Sequence, residues 1–163
     1  MTYRALVITA STRSASGEWP DRSGPILRDG LASMDLIVDG PVVVPDGDEV
    51  EAALRHGVAS GYQLIVTTGG TGLTPSDLTP EMTARVIDRY VPGIAEAIRA
   101  GGVAKGVPTA LLSRGLAGTA GQTLIINLPG SPGGVRDGLE VLGTFITHAL
   151  EQIPGSDHQR TQE

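Results

Sequence analysis

Two aspartates stand behind apolar runs of this 163-residue chain: Asp46 closes Val42-Val-Val-Pro45, and Asp77 follows Leu64-Ile-Val66 across the glycine-rich stretch Gly69-Gly-Thr-Gly72. Glycines there let the backbone take positive φ and come close to a ligand, with successive N–H groups free to point at an anion. Carboxylates beside a phosphate cradle suit Mg²⁺, which prefers oxygen donors and is typically held by one or two carboxylates plus substrate phosphates. Asp48 and Glu49 could assist Asp46. Both aspartates also fit plain helix capping, the commoner role for an aspartate at the end of a strand. For Asp77 that role is less attractive, because Thr79 before Pro80 already reads as N-cap and first helical residue. A third candidate segment, Asn127-Leu-Pro-Gly-Ser-Pro132, offers a side-chain amide, a glycine turn and a helix start capped by Ser131, a combination that either binds phosphate or simply begins a helix. Gly-Gly-x-Gly is no Walker A loop, since no Gly-Lys-Ser/Thr follows, and its spacing misses the dinucleotide fingerprint.

The elements that must hold these residues alternate between strand and helix. Strands are expected over Tyr3 to Ala10, Leu36 to Val44, Gln63 to Thr67 and Thr123 to Asn127, with Gly40-Pro41 marking a bulge or an edge because proline cannot donate to a ladder. Helical periods run from about Gly24 to Met34, from Val50 to a stop at Gly61, from Met82 to Tyr90, and from Gly93 to Ala100. A final helix opens at Pro132 and keeps Val135, Leu139, Leu142, Ile146, Ala149 and Ile153 on one face. Leu116 to Thr119 should pair with the last strand around Ala120-Gly121. The expected fold is an α/β three-layer sandwich, a mostly parallel sheet with helices on both faces and one antiparallel edge hairpin. Loops leaving the carboxyl ends of parallel strands form the ligand crevice of such a sheet, so both aspartates should project over one edge.

The longer strings carry a resemblance. Thr67-Thr-Gly-Gly-Thr-Gly72 followed by Pro75, Asp77, Thr79, Pro80 and Glu81 resembles the signature of the MogA/MoaB family of molybdenum-cofactor biosynthesis proteins, which includes the G domain of gephyrin. Asp21-Arg-Ser-Gly-Pro25, Val44-Pro-Asp46 and Leu124 through Pro132 agree with it in the same order. The resemblance implies one molybdopterin-binding domain over 1–153. The implied activity is a Mg²⁺-dependent molybdopterin adenylyltransferase that moves AMP from ATP to the terminal phosphate of molybdopterin. A non-catalytic binding or scaffolding paralogue of MoaB type is the alternative. By the same likeness Asp46 and Asp77 are the catalytic, metal-holding acids. Ser11, Gly69, Gly70, Thr71, Gly72, Thr79, Ser113, Asn127, Pro129, Gly130 and Ser131 are the ligand contacts, and Ser113 matches a position near the pterin. A homotrimer and a downstream molybdenum insertase are implied as well. Many relatives have aspartate after the serine matching Ser11, where this chain has Thr12; if that aspartate only caps a turn, threonine can take its place.

Composition narrows the alternatives. A chain of this length is one domain's worth and buries roughly 70% of its unfolded surface. Its 23 glycines and 11 prolines lie between apolar runs, so they mark turns and not disorder. Without cysteine there is no disulfide, thiolate metal site or cysteine nucleophile. A net charge of −6, with Lys105 the single lysine, argues against a nucleic-acid partner. It also means that anionic substrates need backbone N–H groups, arginines or divalent cations; Arg13, Arg22, Arg114 and Arg136 are the plausible cationic contacts. His56, His148 and His158 are too scattered to form a ligand set. No stretch is long enough for a signal sequence or a membrane span, and a cytoplasmic protein is expected. The polar stretch 154–163 reads as a disordered tail.

Overall fold

The computed structural model describes residues 2–155. Six strands form one sheet in the order β2-β1-β3-β6-β5-β4: β1 (Arg4–Ala10), β2 (Ile37–Val44), β3 (Leu64–Thr68), β4 (Arg89–Tyr90), β5 (Ala117–Ala120) and β6 (Thr123–Leu128). The pairings β1–β2, β1–β3 and β3–β6 are parallel, whereas β5 joins β6, and β4 joins β5, antiparallel. This is the expected sheet with its hairpin edge. The Gly40-Pro41 expectation holds in both forms, since β2 is an edge strand and its register against β1 shifts between Leu6 and Ile8. Gly40 sits at φ +97, where a Cβ would meet the Val7 carbonyl oxygen at 2.5 Å.

Alternation along the strands divides the core. Ala5, Val7, Leu64, Val66, Leu124 and Ile126 face α2 (Ser23–Ala32), α5 (Pro92–Ala104), α6 (Pro132–Gly143) and α7 (Ile146–Gln152), which bring Leu27, Leu31, Ile98, Val135, Leu142 and Leu150. Leu6, Ile8, Ile65 and Ile125 face the other way, against Val50 and Leu54 of α3 (Asp48–Ala59) and Met82 of α4 (Thr79–Ala84). Fully burying each such Leu, Ile or Val stabilises the fold by about 1.5–3 kcal/mol, which fixes the sheet as the rigid layer that carries the loops.

Four local expectations are corrected. The period from Met82 to Tyr90 does not stay helical: α4 stops at Ala84, and Arg89–Tyr90 becomes β4, because the Asp88 carboxylate accepts from Gly121 N–H at 2.8 Å and Asp88 and Val91 donate to Thr119 and Ala117. The last helix breaks at Thr144–Phe145, where the chain tightens: Thr144 and Phe145 donate to the carbonyls three residues back, and the Thr144 hydroxyl bonds Val141 O at 2.7 Å. Its apolar face survives the break, with Leu142, Ile146 and Leu150 all buried. The helix expected to end at Ala100, α5, runs on to Ala104, and the loop after β1 holds a short helix, α1 (Thr12–Ala15). Of the expected tail, Pro154 and Gly155 form a turn, and the remainder lies outside the described residues.

Candidate functional site

Where β1, β3 and β6 end, three loops meet. Gly69 and Gly70 adopt φ +96 and +67, conformations that an L side chain rarely takes, while Gly72 is required for space, since a Cβ there would lie 2.8 Å from Asp77 Oδ2. Thr68 Oγ1 donates to Pro129 O at 2.7 Å and Ser23 Oγ to Gly130 O at 2.6 Å, so the β6 loop is tied both to the glycine loop and to α2. Gly130 packs so tightly on Gly69 that an added Cβ would stand 3.1 Å from the Gly69 Cα. Gly130 lines the clefts described next, both of them, and Gly69 lines the second.

The first cleft, about 480 Å³, takes Gly70, Thr71, Gly72, Asp77, Ser113, Pro129, Gly130 and Ser131, all of them expected site residues, and adds Arg99, Leu112 and Asp137. Ser131 caps α6 as expected, its Oγ accepting from Gly134 N–H at 3.0 Å, so a helix N-terminus faces this space. Ser113 Oγ and Thr71 Oγ1 lie 3.4 Å apart across it. The second cleft, about 490 Å³, takes Ser11, Gly69 and Gly130 together with Trp19, Asp21 and Arg22. Ser11 Oγ accepts from Ser14 N–H at 3.2 Å and so caps α1.

Asp46 and Thr79 lie just behind Gly70: an ideal Cβ on that glycine would be 2.3 Å from Thr79 Oγ1 and 2.4 Å from Asp46 Oδ2. The expected cap is reassigned here. Helix α4 already includes Thr79, whose hydroxyl is fully buried with no hydrogen-bond partner among the described residues, and the N–H at its start, that of Leu78, donates instead to Asp46 Oδ1 at 3.2 Å. Asp46 therefore does cap a helix, but one 32 residues further along the chain, and its Oδ2 still points into the space above Gly70. Burial raises the Asp46 pKa above the ordinary aspartate value; the N–H groups of Leu78 and Gly47 oppose that, while the charges of Asp77 and Glu81 add to it. That coupling puts the two expected acids in one electrostatic field.

The arginines divide differently from expectation. Arg114 donates from Nε to Gly72 O at 2.8 Å and from Nη2 to Asp77 O at 2.7 Å, and pairs with the Glu81 carboxylate, so it fastens the glycine loop. Its pairing holds the Glu81 carboxyl below its ordinary range. Arg13 stacks on Trp19, Arg22 lines the second cleft, and Arg136 lines neither. Asn127 is buried among the strands. Its amide donates to Thr67 Oγ1 at 2.9 Å and Thr83 Oγ1 at 3.0 Å, and its Oδ1 accepts from Leu116 N–H at 3.0 Å, which leaves it a positioning residue that faces neither cleft. Arg99, Asp137 and Trp19 escaped the sequence reading; only Trp19 carried a visible signal, as the sole tryptophan of a small-residue loop.

Two carboxylates, an orphaned hydroxyl and the gap left by the missing Gly70 side chain are a donor set that fits a hard cation. Among the described residues no three His, Asp or Glu side chains converge as a ready cage, so substrate oxygens would complete the coordination.

Known proteins resemble this chain in sequence and in fold. The model of the family described as "Probable molybdopterin binding domain" matches residues 6–148. The molybdopterin adenylyltransferase of Helicobacter pylori strain J99 is 37% identical over 160 residues, covering 95% of this chain and 90% of that one. The molybdenum cofactor biosynthesis bifunctional protein of Chlorobaculum tepidum is also 37% identical, over 156 residues, and this chain spans about half of its length, 50%. Among solved structures, the molybdopterin biosynthesis Mog protein of Mycobacterium ulcerans is 52% identical with a TM-score of 0.88, covering 93% of this chain and 99% of that one. The molybdopterin biosynthesis enzyme MoaB of Thermus thermophilus is 42% identical at the same TM-score, covering 94% and 97%.

Proposed function

This chain belongs to the molybdopterin-binding domain family of molybdenum-cofactor biosynthesis proteins, and from that premise we propose that it is a molybdopterin adenylyltransferase. An oxygen of the terminal phosphate of molybdopterin bonds to the α-phosphorus of ATP, and the bond from that phosphorus to the bridging oxygen breaks, releasing pyrophosphate. The observation that carries the reading is the pair of clefts that share Gly130, which packs on Gly69: two ligands can lie one in each cleft with their phosphates meeting near these glycines. Such a reaction needs no covalent protein intermediate, in keeping with a chain that lacks cysteine. Positioning and charge neutralisation do the catalysis.

Asp46 and Asp77, with the Thr79 hydroxyl, would hold Mg²⁺, which supplies positive charge to the phosphates when bound. The N–H groups at the start of α6 and in the glycine loop orient anionic oxygens, and Arg114 keeps Asp77 in place. A homotrimer and hand-over to a molybdenum insertase in the cytoplasm belong to the same proposal. Among the described residues no helix is long and apolar enough to cross a membrane.

The second reading, a non-catalytic MoaB-type paralogue, rests on Thr12. Its hydroxyl accepts from the Asp46 N–H at 3.3 Å, so it does the capping that an aspartate could do there without adding a carboxylate. Pyrophosphate release on mixing the protein with molybdopterin, ATP and Mg²⁺ separates the two. Turnover abolished by excess EDTA supports the enzyme; molybdopterin binding without turnover supports the paralogue, and full turnover in EDTA removes the metal from the scheme.

A further inference from the structure

Trp19 is the only tryptophan in the chain, more than half of it (53%) is exposed, and it lines the second cleft. It is not a loosely hung side chain. Gly17 at φ +79 turns the loop back after α1, and the N–H groups of Glu18 and Trp19 both donate to Arg13 O, at 2.9 and 3.2 Å. The Arg13 guanidinium lies 4.1 Å from the centroid of the indole. Among the described residues Trp19 lines the cleft and Arg13 does not, so the cation covers one face of an indole that still borders the cleft. An exposed indole with a cation on one face can serve as a stacking platform for a flat ligand.

Around it the cleft offers hydroxyls from Ser11, Ser14 and Ser23 and the cation of Arg22. Its one carboxylate among the described residues, Asp21, is engaged, accepting from Thr9 Oγ1 at 2.9 Å and Gly24 N–H at 3.0 Å. The first cleft, by contrast, carries Asp137, whose side chain meets Lys105 through one oxygen. A 2-amino-4-oxo pterin edge is rich in donors and calls for a carboxylate; an adenine ring asks mainly for a flat partner. We propose that Trp19 is the stacking platform for the nucleobase of the adenine nucleotide, which places the base in the second cleft with its phosphates directed toward Gly69 and Gly130. This rests on the adenylyltransferase reading.

Because Trp19 is the sole tryptophan, its fluorescence reports this contact alone. Titration of the intact protein with AMP-PNP and Mg²⁺ should quench it to saturation, with a midpoint matching the calorimetric Kd. Trp19→Phe should keep most of the affinity, whereas Trp19→Ala should weaken AMP-PNP roughly tenfold or more, the usual loss when an aromatic partner of a base is removed, and leave the Kd for neopterin monophosphate unchanged. Calorimetric binding of AMP-PNP that neither quenches Trp19 nor weakens in Trp19→Ala overturns the inference and leaves the adenylyltransferase reading standing. Loss of the pterin affinity in place of the nucleotide affinity overturns it too. A wild-type protein that binds no AMP-PNP in calorimetry removes both.

Discussion

Arg114 Nη2 lies 2.7 Å from the Asp77 carbonyl oxygen while its Nε lies 2.8 Å from that of Gly72, so one guanidinium closes both ends of the loop that carries Asp77. The planar fork makes this possible, and an ammonium cannot reproduce it. Arg114→Lys should therefore keep the charge and lose the geometry. The expected result is a roughly tenfold fall in kcat with a higher Mg²⁺ concentration for half-maximal activity, and a stability loss of only about 1 kcal/mol because the side chain is a third exposed (35%). Unchanged Mg²⁺ dependence would show that Asp77 keeps its position without the fork.

Asp46 combines a helix cap with a carboxylate whose pKa is raised chiefly by burial. The folded protein thus binds this proton more tightly than the unfolded chain does. Its ionisation counts against folding, increasingly as pH rises from the ordinary aspartate value of 3.8 through the raised folded value, and fully above it. Asp46→Asn keeps an Oδ1 acceptor for the Leu78 N–H and removes the charge. Urea midpoints should be higher in the variant than in the wild type at neutral pH and converge below pH 3.8, while pyrophosphate release falls on the order of a hundredfold. In the wild type the acid limb of the rate profile should move to lower pH as Mg²⁺ is raised, because cation and proton compete for the same oxygen.

Thr79 reverses the usual relation between burial and partnership. Its hydroxyl is fully buried and unbonded among the described residues, a condition that costs about 1–3 kcal/mol. Thr79→Val keeps the shape and removes the orphan, so thermal denaturation should show a more stable protein. If the hydroxyl is kept for a cation, Mn²⁺ binding followed by electron paramagnetic resonance should weaken several-fold in the same variant. A stabilised variant with wild-type Mn²⁺ affinity would assign the hydroxyl no part in holding metal.

The large elements could be read from the chain because their signals are local. Leu64-Ile-Val66 and Leu124-Ile-Ile126 are apolar runs rich in β-branched residues and too short for helices, and Ser131-Pro132 is a cap followed by a first-turn proline. What could not be read depends on groups distant in sequence. Nothing near Asp46 shows that it caps a helix 32 residues away, and nothing near Arg114 shows that its partners are Gly72, Asp77 and Glu81. The β4 strand is two residues long, set by Asp88 reaching across to Gly121, and a helical period carries no trace of that contact. The break at Thr144–Phe145 escaped for the opposite reason: the apolar face continues straight through it, so the periodicity describes the burial correctly while missing the kink.

Asn127 is where fold and site are hardest to separate. Its one amide satisfies Thr67 on β3, Thr83 on α4 and the Leu116 N–H leading into β5, and Asn127, Thr67 and Thr83 are all buried. Asn127→Ala would leave two hydroxyls and a backbone N–H without that partner, and each lost bond of a buried group costs about 1–3 kcal/mol. Urea unfolding should show a drop of several kcal/mol, one of the largest for any single polar residue here. Asn127→Asp keeps the acceptor for Leu116 but offers Thr67 and Thr83 no donor and buries a charge, so it should be at least as damaging at neutral pH and recover in part as the carboxyl is protonated. Both variants, where folded, should bind AMP-PNP with near wild-type affinity, since Asn127 faces neither cleft. A variant that stayed fully stable yet lost ligand would make Asn127 a direct contact after all.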